Sequence, residues 1–199
     1  NYVQAAVRIE GGARPDPEAR PEPDGPLVGR AAIVAIVAAF TLLQATNATV
    51  MSIMTLYVTD DLRLALAWGG VALGLAALLE VPAFWLIGHL SGRLSTRVLM
   101  VSGCVAGVVL YIGLLFARGP IALLALQVPN AWFFAVVAGT GLTVFQDLIP
   151  RPGLATGMNM NARRIGAIIS GPIIAIASVE AVGYPGVFAV CAALTAIGT

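Results

Sequence analysis

Residues Ala31–Val58 read AAIVAIVAAFTLLQATNATVMSIMTLYV, a run of 28 positions without a charged side chain. Crossing a hydrocarbon layer about 30 Å thick takes about 20 residues of α-helix at roughly 1.5 Å per residue. Backbone groups in lipid must hydrogen-bond within their own segment, and a barrel strand would be shorter and would alternate apolar with polar side chains. The run therefore predicts a transmembrane α-helix.

Five further apolar stretches follow. The six predicted spans are Ala31–Val58, Trp68–Leu90, Val98–Ala117, Pro120–Phe145, Leu154–Val179 and Tyr184 to the end of the chain, where Thr199 cuts the last one short. We therefore predict an all-α membrane protein, with one bundle of six transmembrane helices over residues 31–199. The chain begins at Asn1 without a signal-peptide pattern, and we interpret it as an internal piece of a longer protein.

The composition excludes most other classes of protein. Hydrophobic residues make up 59% of the chain, charged residues make up 11%, and the mean hydropathy is +0.92, which argues against a water-soluble domain. The eleven basic residues are all Arg and form no polybasic surface for nucleic acid. Cys104 and Cys191 lie inside apolar runs and are expected to pack as small hydrophobic residues.

Residues 1–30 differ from the rest of the chain. Their prolines are Pro15, Pro17, Pro21, Pro23 and Pro26, and they alternate with Asp, Glu and Arg. Such a composition cannot bury enough apolar surface to order itself. We predict a Pro-rich linker that precedes the bundle as a central loop.

The arginines predict the orientation of the bundle. If the spans alternate in direction, one side carries Arg30, Arg93, Arg97 and Arg151, and the other carries Arg63 and Arg118 beside Asp60, Asp61 and Glu180. Cytoplasmic loops are enriched in basic residues. We expect the first side, and the linker with it, to be cytoplasmic.

Glu80 lies near the middle of the second predicted span, in the run Leu78-Leu79-Glu80-Val81-Pro82. An ionised carboxylate is costly there, and the surroundings favour the neutral acid. A group that takes up and releases a proton as its surroundings change needs this property, so Glu80 is the candidate proton-coupling residue. The alternative is a structural Glu that stays protonated or hydrogen-bonded.

The fifth span must include polar residues to reach across the bilayer, because Ile165–Val179 alone would extend only roughly 22 Å. Asn161 and Arg164 share a face at a spacing of three residues, whereas Arg163 points elsewhere. We expect Arg164 to face a cavity and to contact substrate or Glu80. The alternative is an anchor at the membrane interface.

Amide side chains mark two other spans. Thr41, Gln44 and Asn47 follow one another at three-residue spacing, and Gln127 and Asn130 flank Pro129 ahead of Trp132, Phe133 and Phe134. Amides offer both donors and acceptors to vicinal hydroxyls, and aromatic rings can cover the apolar face of a pyranose. We predict that Gln44, Asn47, Gln127, Asn130, Asn161 and Arg164 bind a sugar. Hydrogen bonds between helices and ordinary core packing are the alternatives.

Glycines are frequent inside the spans and predict close helix packing. They include Gly69, Gly70, Gly74, Gly103, Gly107, Gly139, Gly141, Gly166 and Gly171. Gly103 and Gly107 have the small-xxx-small spacing of tightly packed membrane helices.

The turn Gly88-His89-Leu90-Ser91-Gly92-Arg93-Leu94-Ser95-Thr96-Arg97 resembles the loop signature G-x-L-x-D-R-x-G-R-K of the major facilitator superfamily. Gly88 and Arg93 match it and Arg97 supplies a basic residue at its last position, while Gly92 replaces the acidic residue and Ser95 replaces the second glycine. Three further stretches are similar to the bacterial sugar efflux transporters of that superfamily. They are Leu79-Glu80-Val81-Pro82, Leu126-Gln127-Val128-Pro129-Asn130-Ala131, and Phe145-Gln146-Asp147-Leu148-Ile149-Pro150 followed by Asn161, Arg164 and Gly166.

The resemblance covers Ala31–Thr199 and implies the carboxy-terminal half of a twelve-span transporter in the bacterial inner membrane. It implies proton-driven export of lactose, glucose or related glycosides by alternating access. The partners would then be a sugar, protons, the lipid bilayer and an amino-terminal six-helix half.

Two other functions remain open at this point. A polyspecific drug exporter would also combine an apolar cavity with one buried acid, and a non-transporting sensor or assembly module could be built from a single half. An enzyme is not expected, and neither is a cofactor or a metal. Asp60 and Asp61 are adjacent loop residues with no nearby His or third carboxylate to complete a metal site.

Overall fold

The computed structural model describes residues 29–149, 151–176, 179 and 183–198, without the side chain of Arg30. The predicted linker falls almost wholly outside these residues, as does Glu180. The described part contains seven α-helices and no strand. They are α1 (Arg30–Leu56), α2 (Ala67–Leu90), α3 (Thr96–Phe116), α4 (Pro120–Ala125), α5 (Gln127–Leu148), α6 (Pro152–Ala175) and α7 (Gly183–Ile197).

Four helical segments of the described chain are long and apolar enough to cross a bilayer: Ala31–Asp61, Ala67–Leu90, Thr96–Phe116 and Pro120–Leu148. They coincide with the first four predicted spans to within a few residues. The helix α7 is apolar but shorter. The helix α6 is long enough, but its middle carries Asn161, Arg163 and Arg164 and is less apolar.

The first span ends in a π-helical turn, Tyr57–Asp61, which continues directly from α1. The backbone N–H of Leu62 closes this turn on the carbonyl of Tyr57 at 3.1 Å. Arg63 then adopts a φ of 53°, in the left-handed region, and the chain turns towards α2. Asp60 and Asp61, which were expected on a loop, instead lie in this π-helical turn and mark the end of the span.

The fourth predicted span is one apolar segment but two helices. The helix α4 ends at Ala125 and α5 begins at Gln127. Pro129 lacks the N–H that would bond to the carbonyl four residues earlier, that of Ala125. The break at Leu126 follows from this missing bond, although the apolar run itself continues through it.

Successive spans alternate in direction, as expected from the short connections between them. At one end, the Tyr57 hydroxyl donates to the carbonyl of Leu114 at 2.8 Å, and the Tyr57 ring packs edge-on against Phe188 with centroids 4.9 Å apart. The Tyr184 hydroxyl donates to Asp60 Oδ2 at 3.1 Å. The last turn of α1, the end of α3 and the start of α7 therefore meet at the same end of the bundle.

The helices pack in a pattern of pairs. The most extensive contacts join α1 to α6, α3 to α5, α2 to α5, and α3 to α7. The core cluster is built from large side chains, among them Tyr57, Tyr111, Phe133, Phe145 and Phe188. By contrast, α2 and α6 bury narrow stripes of mostly small residues and leave their remaining surface uncovered.

The predicted close packing at glycines is correct at some positions and wrong at others. A methyl group on Gly103 would lie 2.6 Å from Val136 Cγ1, and one on Gly107 would lie 2.9 Å from Phe133 Cδ2, so both glycines admit α5 against α3. Nothing lies within 4 Å of such a group on Gly70, Gly74 or Gly171. These three glycines are on faces that no described helix covers.

Candidate functional site

Glu80 lies on the stripe of α2 that faces α5. The stripe includes Ala76, Ala83 and Ile87, which are buried, and Glu80 falls between Ala76 and Ala83 at helical spacing. Its side chain is half-buried, and its carboxyl forms no ion pair with any described residue. Pro82 lies within α2, and the helix continues through it.

The register of α2 on α5 fixes the depth of Glu80. A methyl group on Gly139 would lie 3.7 Å from both Ile87 and Phe84, so these residues share one level. Two turns back along each helix, seven residues earlier, are Glu80 on α2 and Trp132 on α5. Along the bundle axis, the depth of Glu80 therefore differs from that of Asn130 by less than about one helical turn.

Gln44 and Asn47 lie on α1 where it meets α6. They are 7% and 8% exposed, and neither side-chain amide hydrogen-bonds to another described residue. Gln44 lies directly against Gly166, where an added methyl group would come within 2.8 Å of Gln44 Cβ and 2.9 Å of the backbone nitrogen of Ala45. Because Gly166 has no side chain, α6 can pack directly against the α1 backbone beside these two amides.

Asn161 and Arg164 are exposed on α6. Arg164 is two residues from both Ala162 and Gly166 of the buried stripe, which places it roughly 160° from that stripe around the helix axis. It lies twelve residues beyond Pro152, about 18 Å along the helix and so at its middle. No ion pair joins Arg164 to Glu80 within the part of the chain that the structure describes.

Gln127 and Asn130 are fully buried and bonded to each other. Asn130 Nδ2 donates to Gln127 Oε1 at 2.9 Å, and Gln127 Nε2 donates to the carbonyl of Leu123 at 2.9 Å. Asn130 Oδ1 is buried without a partner. This pair holds the start of α5 together and keeps one acceptor free.

The three aromatic residues after Asn130 divide between core and interhelical contacts. Phe133 is buried against Tyr111 with ring centroids 6.0 Å apart, and Phe134 meets Phe84 at 6.2 Å. Trp132 Nε1 donates to Ser102 Oγ on α3 at 3.2 Å. Ordinary packing between helices thus accounts for all three rings in the part of the chain that the structure describes.

Three exposed residues surround the turn between α2 and α3, namely Gly88 near the end of α2, Arg93 in the turn and Arg97 at the start of α3. Ser95 caps α3 by accepting a hydrogen bond from the Val98 N–H at 3.4 Å. The serine in the second glycine position of the signature is therefore a helix cap. The hydrogen bond of this cap involves neither Arg93 nor Arg97.

Two further polar residues, Asn159 and Asp147, lie at positions that the sequence pattern did not mark as parts of a site. Asn159 is 8% exposed and lies on the buried stripe of α6, seven residues before Gly166. Asp147 lies at the end of α5 and lines a cavity of about 810 Å³ together with Arg97. Helical spacing from Gly166 could have found Asn159, but Asp147 and Arg97 are brought together only by the tertiary fold.

Polar groups on four helices therefore lie near the middle of an apolar bundle, and residues 26–184 match the sequence model of the MFS_1 like family. The chain belongs to this family. The resemblance to the major facilitator superfamily that the turn between α2 and α3 indicated is confirmed. Membership assigns the chain to a family of membrane transporters and not to an enzyme class.

Named relatives support the narrower resemblance. The chain is 38% identical over 174 residues to Sugar efflux transporter A of Dickeya chrysanthemi, an alignment that covers 87% of this chain and 44% of that protein. It is 39% identical over 149 residues to Sugar efflux transporter B of Salmonella typhimurium, covering 74% of this chain and 38% of the relative. It is 36% identical over 149 residues to Sugar efflux transporter C of Escherichia coli, again covering 74% of this chain and 38% of the relative.

The chain spans less than half the length of these relatives. No solved structure showed significant similarity to it.

Proposed function

We propose that this chain is the carboxy-terminal half of a sugar efflux transporter. In this proposal the chain crosses the membrane six times, through α1, α2, α3, the segment formed by α4 and α5, α6 and α7. An amino-terminal six-helix half completes the protein. The two halves rock about a central site and export sugars or glycosides in exchange for protons. The names of the relatives support the substrate class, and the packed helices α1–α7 support the architecture.

One observation supports transport most strongly, namely that α1, α2, α5 and α6 each carry polar groups in the middle part of an apolar helical segment. Gln44 lies against Gly166, Arg164 is only two residues from that glycine, and Glu80 is level with Trp132. Polar and ionisable groups at this depth are expensive unless they face a cavity or a substrate.

The roles in sugar binding follow from the hydrogen-bonding state of each group. Gln44, Asn47 and Asn161 have amides that no described residue engages, so they can donate to and accept from sugar hydroxyls. Arg164 contributes donors on the uncovered face of α6. Gln127 and Asn130 offer the unpaired acceptor, Asn130 Oδ1, to one hydroxyl.

Glu80 is the proposed proton carrier. It combines a central depth on α2 with partial exposure and the absence of a charged partner within the described chain. A neutral acid in a dry site would release its proton when water reaches it, and this couples the proton to the change of access.

The orientation in the membrane is proposed from the charges. The turn with Arg93 and Arg97 lies at the end of the bundle opposite Asp60 and Tyr184. The positive-inside rule then places that turn, residues 1–30 and the other arginine-rich connections in the cytoplasm of the inner membrane.

Two measurements test the proposal. First, the coding sequence upstream of Asn1 should encode six further spans in the same frame, whereas a start codon or a soluble domain there would favour a non-transporting module. Second, the complete protein in inside-out vesicles should accumulate labelled lactose or glucose when a proton gradient is imposed. Accumulation of a lipophilic dye without any sugar would instead support the drug exporter.

A further inference from the structure

The cavity of about 810 Å³ lies at the arginine-rich end of the bundle, outside the proposed sugar site. It is bounded by the beginnings of α1 and α3 and by the ends of α5 and α7. Its walls are largely apolar and include Ile36, Phe40, Leu43, Met100 and Val101. Among the described residues, two charged side chains line it, Arg97 from α3 and Asp147 from α5.

The cavity is open towards the side of the bundle. Val101 lines it and is 46% exposed, and it belongs to a row of exposed apolar residues along α3 that continues through Val105, Val109 and Ile112. In a membrane this row faces lipid chains. An acyl chain could therefore enter the cavity directly from the bilayer.

The two charges each lack a favourable partner on their own helix. Arg97 is the second residue of α3, where the partial positive charge of the helix N-terminus disfavours a cation. Asp147 is the last residue but one of α5, where the negative end of the dipole disfavours an anion. Arg97 and Asp147 line the same cavity but form no ion pair with each other in the described structure.

We propose that this cavity binds one phospholipid with a zwitterionic headgroup and a primary ammonium, that is, a phosphatidylethanolamine. The phosphate lies at Arg97, the ammonium donates to Asp147, and an acyl chain fills the apolar part of the cavity. One cation and one anion at a single cavity match a headgroup that carries both charges. An anionic lipid would instead bring a negative charge close to the Asp147 carboxylate, which would repel it.

The choice among headgroups follows from hydrogen bonding. A primary ammonium has three N–H donors for the Asp147 carboxylate, but the trimethylammonium of phosphatidylcholine has none. Phosphatidylglycerol supplies the phosphate for Arg97 and no cation for Asp147. Asp147 is therefore the selecting residue and Arg97 the general phosphate contact.

Native mass spectrometry of the complete protein tests the site. Phosphatidylethanolamine, phosphatidylcholine and phosphatidylglycerol with identical acyl chains would each be titrated in detergent, and the bound fractions compared. We expect phosphatidylethanolamine to bind about tenfold more tightly than the other two, the size of one hydrogen bond to a charged group.

Variants separate the two contacts. Asp147→Asn should bind phosphatidylethanolamine and phosphatidylcholine equally, and Arg97→Gln should weaken all three lipids by about tenfold. Arg93→Gln in the same turn and Asp61→Asn at the opposite end remove the same charges away from the cavity and should change nothing. Ala35→Phe, which narrows the cavity, should lower the binding of every lipid.

Three results would overturn the proposal. The first is equal binding of the three lipids to the unaltered protein, and the second is a preference for phosphatidylethanolamine that survives Asp147→Asn. The third is no bound lipid at all, which is the result expected if another part of the complete transporter fills the cavity. None of these outcomes depends on whether the protein exports sugar.

Discussion

Gly166 on α6 lies against Gln44 on α1 so closely that a methyl group would come within 2.8 Å of Gln44 Cβ. The neighbouring atoms at 2.9 Å are backbone atoms of Thr41 and Ala45, which cannot rotate away. The contact therefore joins two helix backbones at the level of the proposed sugar site, and it sets the position of both Gln44 and Arg164.

Gly166→Ala should destabilise the protein, because α6 must move away from α1 to admit the methyl group. Overpacking of this kind costs about 1–3 kcal/mol. Thermal unfolding of the purified protein in detergent would measure it. Gly171→Ala on the same helix is the matched control and should cause no loss, since nothing lies within 4 Å of the added group. Equal unfolding temperatures for the two variants would contradict the close contact.

Glu80→Gln should abolish sugar accumulation driven by a proton gradient, because the amide keeps the size of the acid but cannot bind and release a proton. Exchange of labelled for unlabelled sugar without a gradient should persist. Both can be measured in vesicles after checking membrane insertion. Asp61→Asn, at the end of the first span, is the control and should keep full accumulation. Normal gradient-driven export by Glu80→Gln would remove Glu80 from proton coupling.

Arg164→Ala should raise the sugar KM or stop turnover, because the guanidinium lies on the uncovered face at the middle of α6. Loss of one hydrogen bond to a charged group corresponds to a change of about tenfold or more. Arg163→Ala removes an equal charge from the adjacent position, which lies nearer the buried stripe. We expect it to keep the original KM, and identical effects of the two substitutions would indicate a shared role as interfacial anchors.

Gln127 and Asn130 can be tested as a pair. Gln127→Leu should destabilise the protein by about 1–3 kcal/mol, because Asn130 Nδ2 loses its buried acceptor. Removing both amides with Gln127→Leu and Asn130→Leu together should restore much of the stability. If Asn130 also binds sugar, the double variant will fold but show weakened sugar binding. Full binding by the stable double variant would leave the pair with a structural role only.

Tyr57→Phe should lower the stability by about 1 kcal/mol, because the buried carbonyl of Leu114 loses its donor. Tyr184→Phe removes the exposed bond to Asp60 and should have a smaller effect, since water can replace that donor. Thermal unfolding would compare the two variants. A larger effect at Tyr184 would mean that the exposed bond, not the buried one, holds this end of the bundle.

The helical segments could be predicted from the sequence because long apolar runs determine where a chain can enter a bilayer. Ala31–Val58 became α1 and its π-helical turn, and the run from Val98 became α3. The break at Leu126 was missed, although Pro129 was visible, because hydropathy continues unchanged across it. Local hydrogen bonding, not hydrophobicity, decides that boundary.

The faces of the helices could be predicted less well. A single sequence cannot say which partner a glycine meets, so Gly166 and Gly171 look alike until α1 is in place. The same reason hid the shared cavity of Arg97 and Asp147, which are fifty residues apart in the chain. For Gln44, Asn47 and Glu80 the depth was predictable from helix length, but the neighbouring residues that each one meets depend on the register between helices.

The aromatic cluster of Tyr57, Tyr184 and Phe188 closes one end of the bundle, while a cavity separates the helices at the other. The described helices are thus held together more tightly at the Tyr57 end than at the Arg97 end. Any bending of these helices would therefore be small near Tyr57 and largest near Arg97. The aromatic cluster would act as the fixed point of this motion, and the arginine-rich end would be displaced most.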